Sequence, residues 1–301
     1  LVEESSSDGD VRVTTFAYSW PITRGYVDGE AQKLQRLVAD FEKAGGTITS
    51  ESLQEFIREY RTLVRNQATI DGYIQYNRFW QRAIADDRPR FDQLTALYDR
   101  MIAGDRGTQE AIQDVLGLPE VPSFVGLGQD PPNATVLRVP VYTDIADGRF
   151  LESVENAIEA MWRVQEDDVI FALDIEFRQV DVSGLYSATS LPRPGNHMDI
   201  QAHASRFPED GAVLTTGAEA THAFVGRYVA LGPGDISSRT LAHEFGHVLG
   251  FRDGYLRGYR DLGGAGFEIL ELTSAFDDIM SAPREGRVLG THFRLVMDGL
   301  K

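Results

Sequence analysis

Apolar residues in the first hundred positions recur mostly at helical spacing. Val11, Val13, Thr15 and Ala17 alternate with Arg12, Thr14, Phe16 and Tyr18, the two-residue period of a strand. Beyond them Leu34, Leu37, Val38 and Phe41 follow a helical period that Gly45-Gly46 would end. Ser52-x-x-Glu55 reads as a capping box for a helix with Leu53, Phe56, Ile57, Tyr60, Leu63 and Val64 on one face. A third segment carries Ile70, Tyr73, Ile74, Phe79, Trp80, Ala83 and Ile84; a fourth, after Pro89, carries Leu94, Leu97, Tyr98, Met101 and Ile102. Residues 108–116 fit one more short helix. Such stripes predict helix packed on helix.

A Pro/Gly-rich stretch, 118–133, breaks this pattern and divides a mainly helical region, 1–134, from a second region, 135–301. Asn133-Ala134-Thr135 within this border reads as a turn rather than a glycosylation acceptor. The second region is mixed: a strand over 136–142, an amphipathic helix over 150–164, a long strand over 169–182, and shorter strands over 198–203, 212–216 and 227–231. After Gly232-Pro233-Gly234, Ser237 or Ser238 caps a helix running to Leu249. That order of elements predicts an α/β or α+β domain of ordinary size.

Composition narrows the partners. The 301 residues hold 29 Lys and Arg against 46 Asp and Glu, a formal charge of −17. A chain this acidic repels phosphate, so neither nucleic acid nor an anionic membrane surface is an expected partner. No apolar run is long enough to span a bilayer. With no cysteine, disulfides, thiolate ligands and cysteine nucleophiles are excluded, as is latency through a cysteine. The first ten residues lack the basic start and apolar stretch of a signal peptide and read as a polar tail.

The chemistry sits in the last helix, His243-Glu244-Phe245-Gly246-His247-Val248-Leu249-Gly250-Phe251-Arg252-Asp253. His243 and His247 are one helical turn apart, so both imidazoles can meet one metal ion. Glu244 adjoins the first of them, placed to hold and deprotonate water. Asp253 would lie out of reach if the helix continued at about 1.5 Å per residue. Gly250 supplies the break that turns the chain back. Two histidines and a carboxylate with an open position make the ligand set of one catalytic zinc.

This HExxHxxGxxD segment, followed by Met280 in Asp278-Ile279-Met280-Ser281-Ala282-Pro283, resembles the metzincin zinc endopeptidases, and its aspartate is similar to the snapalysin-type third ligand. The resemblance implies His243, His247 and Asp253 as zinc ligands, Glu244 as general base and acid, and Met280 as the floor of the site. It further implies a twisted mixed sheet, an active-site helix, a small C-terminal subdomain, peptide or protein substrates, and secreted or periplasmic export. The strand Ala212–Thr216 would be the antiparallel edge that pairs with substrate. Where some members carry a tyrosine two residues after the methionine, this chain has Ala282, so Tyr255 or Tyr259 becomes the candidate oxyanion stabiliser.

Other residues read more plainly. His197, Asp199, His203 and His222 fit a second, structural zinc, although surface or cleft-lining positions are the commoner outcome. His292 reads as an ordinary surface or packing residue, and Asp277 and Asp278 as braces of the methionine turn. Around Asp261–Glu268 no ligand spacing supports calcium. An amidase or a narrow processing protease would share the same motif. The non-enzymatic alternative is a latent or catalytically silent metzincin-like binding protein whose N-terminal region is a propeptide or partner module. Lacking cysteine, it would have to offer the zinc a carboxylate such as Asp8, Asp10 or Asp28. Tyr73, Tyr76, Phe79 and Trp80 argue instead for a core shared with something large.

Overall fold

A computed structural model describes residues 2–8, 11–46, 49–86, 88–105, 111, 115, 117–128, 133–186, 198–218, 220–273 and 275–301. The helix expected over 108–116 lies outside them apart from Ala111 and Val115. The fold is mixed α/β and divides into two compact units. One comprises residues 1–108 and 256–272; the other comprises 109–255 and 273–301.

The first unit begins with an antiparallel pair, β1 (Val2–Asp8) and β2 (Val11–Ser19). Helix α1 (Trp20–Lys43) follows directly, with Ser19 as its N-cap and Pro21 in its first turn. Gly45 and Gly46, at φ 71° and 76°, end it. The second and third apolar stripes belong to one continuous helix, α2 (Ser50–Asp86), rather than two. Its capping box lies upstream of the expected one: Thr49 Oγ1 accepts from Ser52 N–H, and Ser52 Oγ accepts from Thr49 N–H, both at 3.1 Å. Helix α3 (Arg88–Ile102) completes this run.

The second unit is built on a mixed sheet. Strand β3 (Gly126–Gly128) runs antiparallel to the first half of β4 (Ala134–Thr143). Helix α4 (Gly148–Met161) is capped by Asp147 and buries Leu151, Val154 and Ile158. Next come β5 (Arg163–Glu166) and β6 (Val169–Gln179), the latter parallel to β4 along its whole length. After the short helices α5 (Val182–Leu185) and α6 (Ile200–Ala204) come β7 (Ala212–Thr216), β8 (His222–Phe224) and β9 (Tyr228–Leu231). The order is β5-β6-β4-β7-β9-β8. Helix α7 (Ser238–Val248) carries the HExxH segment. Its Leu241, Ala242, Phe245 and Val248 share a core with α4, Trp162 and the apolar side chains of β4, β6, β7 and β9.

Two expectations are corrected here. Ala212–Thr216 is not an edge strand: β4 and β9 flank it, both parallel, and its first four residues are buried. Such a strand needs cover on both faces, which its apolar Ala212-Val213-Leu214 run reflects. The antiparallel edges of this sheet path are β5 and β8, and β8 is the one beside β9. Residues 198–203 do not form a strand either, because the Asp199 carboxylate accepts from Ala202 N–H and starts α6.

The chain then returns to the first unit as a hairpin, β10 (Tyr255–Asp261) and β11 (Gly266–Thr273). Its strands complete a sheet of order β1-β2-β11-β10. Phe267 stacks on Tyr18 at 4.5 Å and an interplanar angle of 2°, and Tyr73, Tyr76 and Trp80 of α2 close over them. The first unit is thus made from the N-terminal stretch and a later internal one, and the border at 134/135 falls inside the second unit. The N-terminal half of α2 departs from the expected helix–helix core. Leu53, Phe56, Ile57, Tyr60 and Val64 are 36–54% exposed. Helix α8 (Gly290–Gly299) ends the fold. Among the described residues no helix is long and apolar enough to cross a membrane.

Candidate metal centre

Helix α7 starts where Ser237 Oγ accepts the Thr240 N–H, at 3.1 Å, and presents His243, Glu244 and His247 one turn later. His243 and His247 are buried. Each uses Nδ1 as a donor to a backbone carbonyl, His243 to Ile279 O at 3.0 Å and His247 to Phe251 O at 2.9 Å. Those bonds set the tautomer, leaving the Nε2 lone pairs free to converge.

Gly250 makes the turn that brings Asp253 to them. Its φ is +98°, and it donates to His247 O at 3.0 Å. Asp253 Oδ1 then sits 3.3 Å from both Nε2 atoms, too poorly aligned to hydrogen-bond with either. It is a buried oxygen with no hydrogen-bond partner. Burial alone would raise the Asp253 carboxyl; the two imidazoles outweigh it and hold it far below the ordinary carboxylate range. The three ligand atoms lie within 4.8 Å of one another. An orphaned buried carboxylate oxygen facing two inward lone pairs fits a divalent cation of the zinc type and leaves coordination positions open. Among the described residues no other group of three is placed to hold a metal.

Glu244 lies beside this point. Burial pushes its carboxyl above the ordinary value, the His243 and His247 rings pull it back, and Asp253 adds to the rise. Met280 is buried beneath α7: a Cβ on Gly246 would run into its sulfur. The Met280 N–H donates to Asp278 Oδ1 at 2.7 Å, and Met280 O accepts from Gly254 N–H at 2.8 Å. Asp278 therefore braces the turn, as its position suggested. The Tyr255 ring stacks on His243, centroids 6.4 Å apart. Tyr259 belongs to the first unit, where its hydroxyl donates to Asn77 at 2.6 Å and its ring packs on Phe267.

Among the described residues the second zinc set does not assemble. His203 is buried, with Nδ1 on Tyr186 Oη at 2.6 Å and Nε2 on Asp144 at 3.1 Å, while Asp199 is spent on capping α6. His222 is exposed and donates to its neighbour Ala220 O, and His197 lies outside the described residues. His292 is not a surface residue: it is 2% exposed and contacts Asp278 at 2.9 Å. A histidine 39 residues beyond the nearest ligand, Asp253, gives no periodic signal that links it to the site, so of its two readings the packing one holds. No family model matches the chain, and neither does any curated protein or solved structure.

Proposed function

We propose that this chain is a zinc-dependent endopeptidase of the metzincin type, with His243, His247 and Asp253 holding one catalytic ion. The observation that carries the reading is the orphaned Asp253 Oδ1 facing both Nε2 atoms at 3.3 Å, beside Glu244. Zinc there supplies Lewis acidity, making water nucleophilic near neutral pH and polarising the carbonyl under attack. Glu244 takes a proton from the attacking water at its carboxylate and passes it to the departing amine nitrogen. Its burial raises the carboxyl toward the range that general acid–base work needs. Tyr255, whose ring stacks on His243, is the candidate for donating a hydroxyl hydrogen bond to the developing oxyanion.

Substrate binding falls to β8 in place of Ala212–Thr216. It is an antiparallel edge of the sheet, and of the two such edges it is the one α7 packs against; the turn after it is tied to the helix by Gly226 N–H to His247 O at 2.8 Å. An extended peptide can add to such an edge. Secreted or periplasmic export is part of this reading and rests on the family resemblance alone. A detachable propeptide is disfavoured because β10–β11, which follows the ligands in sequence, is built into the N-terminal unit.

Zinc content after equilibrium dialysis tests the ligand set. One equivalent is expected in the parent and in Glu244→Ala, and none in His243→Ala or Asp253→Ala. Full zinc in Asp253→Ala would remove the aspartate from the site.

A further inference from the structure

We infer that His292, in α8, is a positioning residue that holds both ligand histidines in their metal-binding orientation; this rests on the zinc-site reading above. The chain of contacts is short. Leu289 N–H donates to His292 Nδ1 at 2.9 Å, so the ring proton sits on Nε2. That nitrogen donates to Asp278 Oδ1 at 2.9 Å. The same oxygen accepts the Met280 N–H at 2.7 Å, and the Asp278 carbonyl accepts the N–H groups of Ser281 and Ala282 at 3.1 and 2.8 Å. Between Asp278 and Met280 stands Ile279, whose carbonyl accepts from His243 Nδ1.

His292 also reaches the second ligand. Its ring meets Phe251 edge to face, centroids 5.1 Å apart at 90°, and the Phe251 carbonyl accepts from His247 Nδ1. Trp162, fully buried, closes a further side of the ring at 5.8 Å. The imidazole therefore supports both backbone segments whose carbonyls orient the two ligands. A buried histidine is costly unless both nitrogens are satisfied, and here one is satisfied by its own helix cap and the other by the methionine turn. The helix that carries it is pinned in turn: Glu166 accepts from Gly290 N–H at 3.1 Å and from Arg294 at 2.6 Å. Groups that orient ligands in this way change metal affinity about 10- to 100-fold when lost.

The test compares the full-length parent with His292→Phe, His292→Gln and Phe293→Leu. The first keeps a packed ring and loses both hydrogen bonds. In the second an amide N–H takes the place of Nε2–H. The third disturbs the same helix core without touching Asp278. Zinc dissociation constants come from chelator competition, and the visible bands of cobalt-loaded protein report ligand orientation. His292→Phe should bind zinc about 10- to 100-fold more weakly with shifted cobalt bands; His292→Gln should recover most of both, and Phe293→Leu should match the parent. Unchanged affinity and bands in His292→Phe overturn the inference and leave the zinc site standing, as does equal weakening in Phe293→Leu. A parent that binds no zinc overturns the site reading and this inference together.

Discussion

Replacing Gly250 by alanine separates two costs at the turn that delivers Asp253. At φ +98° an L-residue pays roughly 1–2 kcal/mol for left-handed backbone. The new Cβ would also stand 2.5 Å from the Glu120 carbonyl carbon and 3.0 Å from Val121 N, backbone atoms that cannot rotate away. Overpacking of that kind adds about 1–3 kcal/mol. Gly234→Ala is the control, because its φ is +106° with no atom within 4 Å of the added Cβ; it bears the backbone cost alone. At about 2–4 °C per kcal/mol for a unit of this size, Gly250→Ala should melt several degrees below Gly234→Ala. Relief of the collision moves Phe251 O and Asp253, so zinc affinity should fall at least about tenfold in Gly250→Ala and stay unchanged in Gly234→Ala. Thermal melts by circular dichroism and zinc competition read the two effects. Equal melting points and equal zinc affinity for both variants would refute the reasoning.

Other consequences follow from the same geometry. Burial lowers the His247 ring's affinity for its proton, but Asp253 and the Phe251 carbonyl more than offset it, so the net shift is upward. Metal-free stability from His247 is therefore present below the unfolded value near 6.5 and lost as pH rises through the folded one, whereas that from the depressed Asp253 is present above about 3.9 and lost only in strong acid. Chelator-treated protein should melt higher at about pH 6 than at about pH 8, and zinc affinity should run the opposite way because binding expels the His247 proton; parallel trends would contradict this. Tyr255→Phe should lower kcat about 10²-fold or more if its hydroxyl meets the oxyanion, while Tyr259→Phe should leave turnover intact and lose about 1 kcal/mol of stability with its Asn77 bond. A chain cut to 135–301 keeps β10–β11 but loses β2, Tyr18 and Trp80, uncovering Phe267 and Ile269, which are 0% and 1% exposed. It should be insoluble or bind hydrophobic dyes, and a soluble, well-folded product would show that the N-terminal unit is dispensable.

What the sequence revealed was local. The spacing of His243, Glu244 and His247, the Gly250 break and the Asp278 brace all follow from positions within a turn or two, and α4, β4, β6, β7 and β9 from unbroken periodicity. Long-range pairing was not legible. Nothing in Tyr255–Thr273 says that its partner is β2 at the opposite end of the chain, and nothing in Ala212–Thr216 says that β9 lies outside it. The second and third apolar stripes read as separate segments, yet α2 runs through Arg65-Asn66-Gln67 between them, where Arg65 and Gln67 are sound helix formers at exposed positions. Met198–His203 alternates like a strand, and the Asp199 cap overrides that pattern. Conversely, Tyr73, Tyr76 and Trp80 did signal a large neighbour, which is the sheet bearing Tyr18 and Phe267, whereas Phe79 stays exposed.

The most direct test of the central claim is cleavage of a mixed peptide library by the purified full-length chain, with and without added zinc and with Glu244→Ala as the blank. Internal cuts that appear with zinc, vanish with chelator and are absent from Glu244→Ala are the predicted result. A zinc-loaded parent that cuts nothing, or a Glu244→Ala variant that cuts as well as the parent, would contradict it.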